Sequence, residues 1–257
     1  MKGIRAIVPA AGKGTRLQKI SGDIPKAMFE VNHQPMLEIV LNNIDFVSDE
    51  NIYIVVGFAK ECITDYFGSR YQYVEQKEQL GTGHAVRVCA DAFEGFDGSV
   101  LVTFGDMPLF RKEEMEAMCL QHQRSGAACT LMTAENEKLA LWARILRDEK
   151  GRFSAIVEGK DCTPEQAQIT ELFSGVMVFD SKALFAMLPL IGCRNVQKEY
   201  YLTEVPELMV KHGLKVDTYF TKDGDDLRGI NTPEDVQICE SILQLRNEEN
   251  QFNRGNL

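Results

Sequence analysis

Short apolar runs alternate with helix-periodic segments through the first half of this chain, and that alternation restricts the fold more than any other feature. Ala6, Ile7 and Val8, inside the apolar run 4–9, read as a buried strand that ends at glycines. Segment 36–46 is helical in period, with Met36, Leu37, Val40, Leu41 and Ile44 on one face. A buried strand over 52–56, a short helix over 59–67 and a strand over 71–74 follow. Next come a helix over 82–92 with Thr82 at its N-cap, a buried strand over 100–104, a helix over 112–125 and a strand over 127–132. Such alternation implies an α/β fold, a mostly parallel sheet with helices on both faces. Ligands bind such sheets beyond the carboxyl ends of the strands.

The second half is less regular. Segments 142–146, 153–157 and 174–179 have strand character, and short polar turns separate them. They are expected to form a small β extension over the site. Helices over 183–188 and 203–212, a strand over 216–220, a turn at 229–233 and an amphipathic helix over 235–245 complete the pattern. One domain over 1–245 is expected, with 246–257 as a polar, frayed C-terminal tail.

The first strand runs into Ala10-Ala11-Gly12-Lys13-Gly14-Thr15-Arg16. Gly12 and Gly14 let backbone N–H groups approach a ligand with no Cβ in the way. Lys13, Arg16 and Lys26 add positive charge, so the stretch suits a polyphosphate. An ordinary strand-exit turn with solvated cations would look the same. The P-loop spacing is absent, and Leu17 stands where a dinucleotide fingerprint needs its third glycine.

Asp106 directly follows the strand over 100–104, well placed to hold Mg²⁺, which takes one or two protein oxygens alongside water and phosphate. A turn-forming Asp before Pro108 is the plainer reading. Asn231 is a candidate second ligand, or a cap on the turn before Pro233. Gln76 and Gln79 carry amides that can match the edge of a base, and Gly81 and Gly83 open the backbone beside them. His84 reads more readily as a packed or capping histidine than as a catalyst. Glu158 and Lys160 suit a polyol, or a plain charged turn.

Composition narrows the partners. A net charge of −10 over 257 residues argues against nucleic acid or an anionic membrane. Seven cysteines without a Cys-x-x-Cys pair read as reduced thiols in a cytoplasmic protein. No apolar run reaches the roughly 18 residues of a membrane span. Oligomerisation is neither indicated nor excluded.

Taken together, the stretches resemble the sugar-phosphate nucleotidyltransferases, most closely the uridylyltransferase (pyrophosphorylase) domain of the bacterial N-acetylglucosamine-1-phosphate enzyme. Ala10 to Arg16 with Pro25-Lys26 matches the family's signature loop, and Gln76 with Gln79 to Ala85 its Gln-Leu-Gly-Thr-Gly-His-Ala stretch. Gly105 to Leu109 matches its metal motif, and Ile156 to Asp161 its Ile-Val-Glu-x-Lys-Asp. Glu199 to Thr203 and Gly229-Ile230-Asn231 match two further motifs, all in order along the chain. The resemblance implies the Rossmann-like nucleotide-diphospho-sugar transferase fold and the joining of UTP and a sugar-1-phosphate, with Mg²⁺, to give a UDP-sugar and pyrophosphate. It implies that Ala10, Ala11, Gly12, Gly14, Gln76, Gln79, Gly81 and Thr82 bind the nucleotide, that Arg16, Lys26 and Asp106 are catalytic, and that Asp106 and Asn231 hold the metal. Ala143, Glu158, Phe173 and Thr203 would line the sugar pocket.

Two of those positions depart from the family. Ala143 replaces a glycine, and Phe173 replaces an asparagine that would hydrogen-bond the sugar. Both fall in the acceptor half, so UTP is expected to be kept while the acceptor is expected to differ from N-acetylglucosamine-1-phosphate. No hexapeptide repeat is present, so acetyltransferase activity is not expected. Three other readings compete: a cytidylyltransferase using CTP and another small phosphate, a non-catalytic sugar-nucleotide sensor, and a dinucleotide-dependent oxidoreductase.

Overall fold

The computed structural model describes residues 3–14, 24–136, 139 and 142–255. Strand β1 (Ile4–Pro9) leads to a small hairpin, β2 (Glu30–Val31) and β3 (Gln34–Pro35), and helix α1 (Met36–Asn43). Then follow β4 (Ile52–Val56), α2 (Glu61–Phe67), β5 (Gln72–Glu75), α3 (Thr82–Arg87), β6 (Ser99–Val102), α4 (Lys112–Ser125) and β7 (Cys129–Glu135). A hairpin, β8 (Arg144–Arg147) and β9 (Phe153–Val157), precedes the long β10 (Glu171–Asp180). Helices α5 (Ser181–Met187) and α6 (Glu204–Lys211), strand β11 (Val216–Phe220) and helix α7 (Pro233–Gly255) close the fold.

The main sheet runs β11-β7-β10-β6-β1-β4-β5. β1 pairs parallel with β4 and β6, β4 with β5, and β11 with β7, while β10 is antiparallel to both its neighbours. Successive side chains of a strand point to opposite faces. In β1, Ile7 joins a cluster with Ala85 and Val86 of α3, Leu184 of α5 and Val205 of α6. Its neighbours Ala6 and Val8 join a second cluster with Leu37 of α1, Ile63 of α2 and Met115 of α4. Both faces are therefore covered, which is why the central strands read as continuous apolar runs. A third cluster packs Cys239 of α7 against Val31, Leu109 and Ile230.

After β1 the chain builds outward through β4 and β5, then returns to the other side of β1 as β6. The strand order reverses between β1 and β6. The crevice beyond their carboxyl ends is where such a sheet binds its ligand, and it is flanked by the Gly12 loop and by Asp106.

Several expected boundaries move. Ala59 adopts φ +45°, so α2 starts only at Glu61. The helix expected over 82–92 ends at Arg87 and continues as a tighter 3-10 turn over Ala90–Phe93. Thr82 does not cap it: Gly81 stands at the cap with φ +107°, and the Thr82 hydroxyl accepts from Leu202 N at 3.0 Å. Segment 174–179 belongs to the main sheet and not to the extension, because β10 shifts register between Phe173 and Met177 and only its early part meets β8. The extension is the β8–β9 hairpin. The last helix runs on through the expected tail to Gly255, and Arg246 is anchored on it, donating to Leu109 O at 2.6 Å.

Candidate active site

The glycine loop leaves β1 pinned on both sides. Ala10 N donates to Val55 O at 2.8 Å, and Gly105 N donates to Pro9 O at 3.1 Å. The returning chain crosses it, with Lys26 N on Gly12 O at 3.3 Å. Gly14 has φ +63°, and a Cβ there would stand 2.6 Å from the Lys26 Cβ. Gly14 is therefore what lets Lys26 lie across the loop. Gly12 differs: a Cβ there would meet nothing within 4 Å. Arg16 lies outside the described residues.

Lys26 ties the two candidate metal ligands together. Its ammonium donates to Asp106 Oδ2 and, at 2.9 Å, to Asn231 Oδ1. Two oxygens from distant parts of the chain thus converge on one cationic point, which is the donor set a small hard cation needs. Thr232 Oγ1 accepts from Asp235 N at the start of α7, and Asp235 Oδ2 accepts in return from Asn231 N and Thr232 N at 2.9 and 2.8 Å. The Asn231 side chain serves both the turn and the site: its Nδ2 donates to Gly229 O at 3.3 Å within the turn, and its Oδ1 faces Lys26. Among the described residues no group of three or more His, Cys, Asp or Glu side chains forms a metal cluster.

Two cavities meet at Asp106. The first is lined by Ala10, Ala11, Gly12, Lys26, Gln76, Gln79, Gly81, Thr82 and Glu199, and it opens toward Lys13, Gly14 and Asn231. Gln76 is only 3% exposed, and its amide nitrogen lies 3.2 Å from Gly81 O and 3.0 Å from His84 Nδ1. His84, read from the sequence as a packed or capping histidine, thus packs with its Nδ1 against the Gln76 amide. The second cavity is walled by Trp142, Ala143, Phe173, Met177 and Leu202, and its polar groups include Glu158, Thr203 and Ser174 besides Thr82, Asp106 and Asn231 at the boundary with the first. Thr203 Oγ1 donates to Glu158 Oε1 at 2.9 Å. Burial raises the Glu158 pKa, against the pull of that hydrogen bond. Phe173 N donates to Ala143 O at 2.9 Å, so the two positions lie side by side. Lys160 turns away, to Gln197 Oε1.

Glu199 and Gly57 were not singled out as site residues by the sequence. Glu199 lines the first cavity and its mouth. A Cβ on Gly57 would stand 2.8 Å from the Ala11 Cβ and 3.0 Å from Gln79 Nε2, so Gly57 gives the cavity floor its room. Its position at the end of a buried strand was the available signal.

Residues 6–189 match the MobA-like NTP transferase domain. The chain belongs to that family. Its members are nucleotidyltransferases, and the crevice between β1 and β6 is this member's candidate active site. The chain is 35% identical over 250 residues to the bifunctional protein GlmU of Staphylococcus carnosus, and 38% over 249 residues to that of Lactobacillus gasseri. Each match covers 97% of this chain but only 54% and 53% of the relative, so the chain spans about half their length. In fold it is similar to UDP-glucose pyrophosphorylase complexed with UDP-glucose, with TM-score 0.74 and 19% identity over 94% of this chain and 98% of that one. A putative glucose-1-phosphate thymidylyltransferase from Bacillus anthracis superposes with TM-score 0.71 and 16% identity, over 93% and 94% of the two chains. The nucleotide-diphospho-sugar transferase fold expected from the sequence is thus the fold observed. No described helix is long and apolar enough to cross a membrane. All seven cysteines are free thiols, and burial pushes those of Cys89, Cys119 and Cys239 up to about 12.

Proposed function

We propose that this family member is a Mg²⁺-dependent sugar-1-phosphate uridylyltransferase, joining UTP to N-acetylglucosamine-1-phosphate or a related acceptor. The observation that carries the reading is the convergence of Asp106, Asn231 and Lys26 where the two cavities meet. One cavity takes the nucleotide, the other the sugar phosphate, and the reacting phosphorus sits between them. An oxygen of the sugar phosphate attacks the α-phosphorus, the bond to the bridging oxygen breaks, and pyrophosphate leaves. The attacking phosphate is largely dianionic near neutral pH, with its second pKa about 6, so no protein base is required. Positioning and charge neutralisation then supply the rate.

Asp106 and Asn231 would hold Mg²⁺, which when bound would supply charge neutralisation at the phosphates. Lys26 supplies a fixed cation at the reacting centre. The Gly12–Gly14 backbone, with Arg16, cradles the triphosphate; Gln76, Gln79 and Gly81 face the base. Glu158 and Thr203 hold sugar hydroxyls. Phe173 and Ala143, side by side, make one apolar patch where the resembling family has an amide and a glycine. That patch favours an acceptor other than N-acetylglucosamine-1-phosphate, since Phe173 offers an acetamido group no hydrogen bond where the resembling family has an amide.

The test is pyrophosphate release with Mg²⁺, each of the four common nucleoside triphosphates, and a panel of sugar-1-phosphates and other small phosphates. Turnover with UTP and one acceptor, abolished in Asp106→Ala, is expected. Silence across the panel, with a UDP-sugar still bound, would replace the enzyme by a sensor. Preference for N-acetylglucosamine-1-phosphate would refute the altered acceptor.

A further inference from the structure

We propose that His84, through Nδ1, locks the Gln76 side-chain amide with its oxygen toward the base, so that the site takes pyrimidines bearing an N3–H, uracil or thymine, and rejects cytosine. The proposal rests on the nucleotidyltransferase reading and goes beyond it, because two glutamines alone do not distinguish uracil from cytosine.

The argument is one of donors and acceptors. A backbone carbonyl only accepts, so the Gln76 side-chain atom 3.2 Å from Gly81 O must be the nitrogen. The same nitrogen stands 3.0 Å from His84 Nδ1. Its second hydrogen goes there, which makes Nδ1 the acceptor and places the imidazole proton on Nε2. Burial first, then the Arg87 cation, lower the His84 pKa below 6.5, against Glu78, and favour this neutral ring. Both hydrogens of the amide are then committed to the protein. Among the described residues no group donates to Gln76 Oε1, although the residue is 3% exposed and lines the base cavity. An uncommitted acceptor in a nearly closed wall calls for a donor from the ligand.

Uracil and thymine present N3–H. Cytosine presents an unprotonated N3, whose lone pair would oppose that of Oε1. Turning the amide over to suit cytosine would set Oε1 against Gly81 O and the amide hydrogens away from Nδ1. His84 touches no reacting atom; it is a positioning residue that makes the alternative orientation costly.

The experiment compares wild type with His84→Asn, whose Oδ1 replaces the Nδ1 acceptor, and with His84→Leu, which has none. The readouts are kcat and KM for UTP, dTTP and CTP, together with the ¹⁵N spectrum of the wild-type imidazoles. Expected are an unprotonated Nδ1 on His84, and strong preference for UTP and dTTP over CTP in wild type and His84→Asn. In His84→Leu the preference should fall about tenfold or more, through KM, with kcat for UTP retained. A proton on Nδ1, an unchanged preference in folded His84→Leu, or equal use of UTP and CTP by wild type overturns the proposal. The spectrum decides even if His84→Leu does not fold. If wild type binds no nucleoside triphosphate at all, the functional reading fails instead.

Discussion

Single residues set the tolerances of this site. Gly14→Ala would place a Cβ 2.6 Å from that of Lys26 in a left-handed backbone. Lys26 must then move off Asp106 and Asn231, and a displacement of about 1 Å at a reacting centre costs on the order of 100-fold. Steady-state kinetics should show that loss in kcat, with the circular dichroism spectrum unchanged. Glu158 gives a pH signature. Burial raises its pKa, so the carboxylate is lost on acidification at a higher pH than a surface glutamate's. The KM for the acceptor should rise on that acid limb, and Glu158→Gln should flatten it. The sign for stability is opposite: the folded state holds this proton more tightly, so this group favours folding as pH falls and the contribution is lost as pH rises through the folded pKa. Asp106 and Gln76 could be picked from the sequence because their chemistry is local to a strand end. Glu199 and Gly57 could not be given roles that way, since what they do depends on which distant atoms approach them.

At the scale of elements, β10 is where pattern reading misled. Its apolar run is long enough for a central strand, yet the sequence does not reveal that Gly175 lets one strand serve two partners. Gly175 has φ +96°, lies within the register shift, and a Cβ there would be 2.7 Å from Met107 Sδ. Such a backbone costs an ordinary residue about 1–3 kcal/mol. Gly175→Ala should therefore lower the melting temperature by roughly 2–12 °C, at about 2–4 °C per kcal/mol for a chain of this size. The helices and strands over 112–125, 153–157 and 216–220 matched their expected bounds. Each is punctuated by residues that end it, such as Gly126, which closes α4 in the left-handed conformation.

Over the whole molecule, the loop that carries Asp106 is held from several directions. Gly105 N reaches β1, Asn43 Nδ2 donates from the end of α1 to Pro108 O at 3.1 Å, and Ile230 N donates to Asp106 O at 3.1 Å. Arg246 adds the bond to Leu109 O and an ion pair with Asp223 at 3.1 Å. Removing a charged donor of this kind costs about 1.5–3 kcal/mol. Arg246→Ala should accordingly destabilise the protein by that amount in a urea titration, and should lower kcat as the loop loosens. From the sequence, the polar composition of 246–257 suggests a frayed tail; a long-range tie by one arginine leaves no trace in composition or period.

Lys26 bears on how the protein comes into being. Most of the first cavity's lining is encoded in the first half of the chain, yet Glu199 completes it and one of the two oxygens that meet Lys26 belongs to residue 231. A ribosome that has translated the glycine loop, β5 and Asp106 has still not produced a centre able to turn over. The centre closes only after Asn231 has emerged and α7 has docked behind the Asp106 loop. On the proposed function, a synthesis that stalls before residue 231 leaves a product that lacks one of the two oxygens meeting Lys26 and is inert.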